Sequence, residues 1–136
     1  MTIYNKKHCR IYYNKTLKTV IQKWKGYADY DDFVEAIDAT ILFFQNENAK
    51  YIISDILDAK QATQESVDYT TNIANPILVE NGLIAIIFVA KNIGSAKNSL
   101  NQFKYGSHDL LVGEVFNIDN AIKKIKELEI KNVQTN

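Results

Sequence analysis

The chain has 136 residues, 46% apolar and 24% charged, with 16 basic and 16 acidic side chains. That length supports one domain with its own core, and the mix is globular rather than disordered. A balanced charge excludes bulk attraction to nucleic acid or anionic membrane, and the lone Cys9 excludes an internal disulfide and suits a reducing compartment.

The N-terminal MTIYNKKHCRIYYNK lacks the apolar core of a signal peptide. The longest apolar run, LIAIIFVA at Leu83–Ala90, is too short for an integral membrane segment. A cytoplasmic location is therefore expected.

HCRIYYN and LKTVIQKWKG are β-prone runs separated by Lys15 and Thr16, and Asn14 is expected to supply the turn of a hairpin. The alternating lysines of the second run place one face or edge toward water. DYDDFVEAIDATILFFQNEN reads as a helix starting near Asp31, with Asp29 as N-cap and Asp32 three residues on. Phe33, Ile37, Ile41 and Phe44, joined by Val34, form its inward face.

YIIS, at Tyr51–Ser54, reads as a short buried strand, with Asp55 and Asp58 in the loop that follows. QESVDYTTNIANPILVENG is a second helix, with Val67, Ala74 and Leu78 on one face, a kink or restart at Pro76, and Gly82 as the stop. IAIIFVA is a strand buried on both faces. Ser95 caps a third helix, AKNSLNQF; GEVFNI is a fifth strand; Asp119 caps a final helix with Ala121, Ile122 and Ile125 inward. The tail from about residue 130 is polar and expected to fray.

The order β-β-α-β-α-β-α-β-α predicts a single α/β domain: a five-stranded, mostly parallel mixed sheet with an N-terminal hairpin and about four helices. That order resembles the SpoIIAA-like group of the STAS fold, the STAS/SEC14 type. The matching phrases are Trp24-x-Gly26, YIISD, NPILVENGLIAIIFVA and EVFNIDNAIKKIKEL. The resemblance covers nearly the whole chain. It implies a non-enzymatic binding or regulatory module in a bacterial cytoplasm, with a protein partner or small ligand and no cofactor. A homodimer is one open arrangement. The SEC14-like side of the resemblance implies a carrier of small apolar, lipid-like ligands as the alternative.

Individual residues weigh against most chemistry. Asp55 lacks the acids before Asp29 that a Mg²⁺-dependent phospho-acceptor needs. Anti-anti-sigma members of the STAS fold carry a phosphorylated Ser at the start of the helix after this strand. Here that segment is ATQES, with Gln64 near the acceptor position, so Thr63 or Ser66 would have to substitute; a helix cap is the simpler role for either. Cys9, His8 and His108 give neither a dyad nor a zinc spacing, so no metal site is expected. KNIGSAK has a phosphate-turn flavour without the full motif. Tyr12, Tyr13, Trp24, Tyr27 and Tyr30 form an N-terminal aromatic group, read as core rim or interface.

The expected functional surface is the rim beyond the carboxyl ends of the parallel strands. Asp55, Asp58, Lys91, Asn92 and Ser95 are the candidate ligand- or partner-binding residues. An enzyme using Asp55 or Asp58 with Lys91 is the remaining alternative.

Overall fold

The computed structural model describes residues 1–91 and 110–135, with side chains through residue 131. Among them, six strands form one mixed sheet in sequence order: β1 (Thr2–Asn5), β2 (Cys9–Asn14), β3 (Thr19–Gly26), β4 (Tyr51–Ala59), β5 (Ala85–Val89) and β6 (Leu111–Val115). β1–β2 and β2–β3 pair antiparallel; β3 to β6 run parallel. The α/β class holds, but among the described residues the sheet has six strands rather than five, and the helical rods number three rather than about four. The additional β1 is a four-residue edge strand with an irregular register against β2.

The hairpin turns as its sequence predicts. Asn14 Oδ1 accepts from the Leu17 N–H at 3.1 Å, and Lys18 takes a left-handed φ of 54° before β3 begins at Thr19.

Helix α1 (Tyr30–Asn46) starts at the expected cap: the Asp32 N–H donates to Asp29 Oδ1 at 2.8 Å. Phe33, Ile37, Ile41 and Phe44 are buried, and Val34 only partly. The second helical rod comprises α2 (Gln64–Tyr69), a π turn (Thr70–Ala74) and α3 (Asn75–Glu80). Pro76 explains the interruption. Its ring crowds the carbonyl four residues back, and it has no N–H to give. The chain widens by one residue just before it, so that the Asn75 N–H reaches the Thr70 carbonyl.

Helix α4 (Ile118–Thr135) is capped by Asn117, whose Oδ1 accepts from the Asn120 N–H at 2.8 Å. Asp119 sits inside the first turn, where a carboxylate favours the helix dipole, and is not the cap. The expected fraying from residue 130 gives way to helix up to Thr135. The expected helix AKNSLNQF lies outside the described residues.

The two faces of the sheet bury different helices. Alternate residues of the parallel strands, such as Val20, Ile52 and Ile86, meet α1 and the α2–α3 rod in one core. Their neighbours Ile21, Tyr51, Ile53, Ile87 and Val89 meet Ala121 and Ile125 of α4 in a second. This two-sided covering is why β5 is apolar throughout.

Glu129 fastens α4 to the start of the sheet. It accepts from the buried Tyr51 hydroxyl at 2.5 Å and lies 3.7 Å from both Lys18 and Lys50. The Tyr51 hydrogen bond, with Lys50 and Lys18 adding, holds the Glu129 carboxyl below its ordinary range. A carboxylate with a depressed folded-state pKa stabilises the fold above its unfolded pKa, and that contribution is lost as the pH falls through the folded value. Glu129→Gln should therefore lower the urea midpoint at pH 7. The gap from wild type should be full above about pH 5, past the unfolded value, and close only as the pH falls through the depressed folded value.

Candidate functional site

The expected rim is only partly assembled. β4 and β5 are neighbours, with Asp55 in register with Val89, and Lys91 follows two residues later. Yet β4 does not stop at Ser54. It continues to Ala59, so Asp55 and Asp58 belong to the strand and not to a loop. The register against β3 slips by one residue between Asp55 and Asp58, which is a β-bulge. Asp55 supports it: Oδ1 accepts from the Leu57 N–H at 3.0 Å.

Asp55 alternates with Tyr51 and Ile53, so it lies on the α4 side and is buried. Asp58 is exposed, opposite Lys25, and Lys91 is exposed past the end of β5. The ion pairs between described residues lie elsewhere, at His8–Asp32 and around Glu129. Asn92, Ser95 and His108 lie outside the described residues.

Thr63 is the N-cap of α2, and Ser66, inside its first turn, is the residue it caps. Thr63 Oγ1 accepts from the Ser66 N–H at 3.1 Å, and Ser66 is completely buried. Cys9 is buried in the core, and burial pushes its thiol pKa up, away from nucleophilic use. Among the described residues no group of His, Cys, Asp and Glu is placed to hold a metal ion, and no helix is long and apolar enough to cross a membrane.

The structure instead opens a pocket on the opposite face, between the sheet and the helices. Gln22 and Trp24 of β3, Ile52, Ser54 and Ile56 of β4, and Ile86 and Phe88 of β5 form its floor. Phe33 and Ile37 of α1, and Thr70, Ala74, Asn75 and Leu78 of the second rod, form its roof. Gly26, Ala28, Ala59, Lys60, Gln61 and Ala62 surround the end nearest the carboxyl termini of β3 and β4. The space open to water is about 110 Å³. The lining runs along β4 from Ile52 to Ala59 and on to Ala62 in the loop beyond it.

The polar groups on the floor follow an order. The Trp24 indole N–H donates to Gln22 Oε1 at 3.3 Å, Gln22 Nε2 donates to Thr40 Oγ1 at 3.0 Å, and Thr40 donates to the Ala36 carbonyl at 3.3 Å. Thr70 likewise donates to the Ser66 carbonyl at 3.0 Å. Ser54 sits between Gln22 and Phe88 in the parallel register, 5% exposed. Its hydroxyl makes no hydrogen bond among the described residues, though it lines the pocket.

Aromatic contacts brace the walls. Trp24 stacks on Phe33 with ring centroids 5.0 Å apart, and Tyr30 meets Tyr69 edge-on at 6.3 Å. The Tyr69 hydroxyl donates to Asp38, joining the roof helices; burial and that bond push its pKa up to about 12. Of the N-terminal aromatics, Trp24 belongs to the pocket, while Tyr12 and Tyr27 are exposed.

No protein-family model matches the chain, and no curated protein matches it.

Asp55 is the sequence-selected residue with the clearest structural test. Asp55→Asn keeps the acceptor for the Leu57 N–H and should leave the urea midpoint almost unchanged. Asp55→Ala strands that donor and should cost on the order of 1–2 kcal/mol in the same measurement.

Proposed function

We propose that the chain is a non-enzymatic, STAS-like binding module whose ligand is a small, mostly apolar molecule held between the sheet and the α1/α2–α3 layer. The observation that carries this reading is the pocket itself, mostly apolar and carrying the Ser54 hydroxyl on its floor. A hydroxyl that faces a mostly apolar space can donate to or accept from a ligand or water there.

Volume sets the size of the ligand. Small-molecule sites commonly span roughly 300–1,000 Å³, whereas an apolar cavity of about 150 Å³ takes up benzene. The present space of about 110 Å³ suits a single ring or one short chain, not a two-chain lipid. This favours the small end of the apolar-carrier alternative. An enzyme built on Asp55 or Asp58 with Lys91 has less support, because Asp55 serves a bulge on the other face and Asp58 is exposed on the strand.

Trp24 is the one tryptophan of the chain and lines the pocket, so its emission reads occupancy. Titration with 1-hexanol or benzyl alcohol should shift that emission saturably. Ala59→Leu, which narrows the open end, should abolish the shift while keeping a cooperative unfolding transition. Saturable binding that leaves Trp24 emission unmoved and ignores Ala59→Leu would place the ligand elsewhere and defeat the proposal.

A further inference from the structure

We infer that the pocket takes a single-chain carboxylic acid whose far end carries a hydrogen-bonding group: the carboxylate at Lys60, the apolar chain under Trp24 and Phe33, the inner group at Ser54. The inference rests on the binding-pocket reading above and names the ligand class for that site.

Three features converge on it. The first is charge. Lys60 is the one charged side chain among the described residues that line the pocket, and it stands at the open end. Its own N–H donates to the Gly26 carbonyl at 2.9 Å, which fixes the backbone there. Its exposed ammonium is free to receive an anionic head without being desolvated alone.

The second is the inner polar group. Gln22 Oε1 and Nε2 already bond Trp24 and Thr40, and the Thr70 proton is already donated. Ser54 is the floor hydroxyl left to bond a ligand, and it can donate or accept.

The third is length against volume. Lys60 lies six positions after Ser54, past the end of β4 and beyond its bulge, and a strand rises ~3.3 Å per residue, so somewhat less than roughly 20 Å of backbone lies between them, shortened further by the lysine folding over the pocket. A compact ligand cannot touch both Ser54 and Lys60 across that separation. A chain on the order of eight carbons, with its head outside the enclosed part, can.

The test follows Trp24 emission in the full chain with octanoate, 8-hydroxyoctanoate and 1-octanol. Wild type should bind 8-hydroxyoctanoate most tightly. Lys60→Gln should weaken both acids about tenfold and leave 1-octanol unchanged. Ser54→Ala should erase the preference for 8-hydroxyoctanoate over octanoate. Unfolding midpoints of both variants establish that they are folded. If 1-octanol binds as tightly as octanoate and Lys60→Gln affects neither, the acid assignment is wrong while the pocket reading stands. If Ser54→Ala preserves the hydroxy-acid preference, the inner contact is wrong. If no chain probe moves Trp24 emission and 1-hexanol and benzyl alcohol also fail, the pocket reading itself falls.

Discussion

Gln22 is the polar residue on which one side of this protein is organised. It sits in the middle of β3, nearly free of solvent, where an unsatisfied amide would be heavily penalised. Both ends of the amide are satisfied: the oxygen accepts from Trp24, and the nitrogen donates to Thr40 on α1. The first bond fixes the indole where it stacks on Phe33, and the second fixes the height of α1 above the sheet. In a low-dielectric interior such a chain of hydrogen bonds specifies one geometry more sharply than apolar packing does. The helix cannot settle further without breaking it. The space beside Ser54 is what remains.

The sequence made the regular parts legible. Asp29, Asp32 and the 3.6-residue spacing of Phe33, Ile37, Ile41 and Phe44 defined α1, because caps and amphipathic stripes are local signals. The apolar run before Ala90 defined an interior strand for the same reason. β4 was read too short because its second half, Asp55–Ala59, mixes acids with apolar residues. A bulge whose stray N–H is taken by the Asp55 side chain can carry a strand through such a stretch, and that is a tertiary fact. β1 was missed because four residues at an edge have little periodicity to read. Asn117 and Asp119 are both good caps, and only the helix geometry chooses between them.

The pocket was less legible still. Its walls come from four strands, the helices and two loops, and each apolar wall residue reads as ordinary core. A usable signal existed nonetheless. Gln22 and Ser54 are polar residues at core positions of buried strands, in TVIQKW and YIIS, and a buried polar residue asks for a partner. Gln22 has its partners within the fold; Ser54 has none among the described residues. Asking where each such group finds its hydrogen bond separates a structural residue from a site residue more reliably than asking which acid follows a strand.

The two faces of the sheet answer different demands. On the α4 face, Ile53, Ile87, Val89, Ala121 and Ile125 close a core that Glu129 locks at one end. On the other face small side chains stand among the large ones: Ala28, Ala59, Ala62 and Ala74 all border the pocket. Larger apolar residues there would bury more surface, at about 25 cal/mol per Å², and would stabilise the fold. Their absence leaves space in a layer that has every means to fill it. The π turn acts in the same direction, since its widened backbone sets Thr70, Ala74 and Asn75 along the roof at the point where Pro76 forbids regular helix. A face that forgoes packing in this way, opposite one that is closed, is the observation on which the proposed ligand rests.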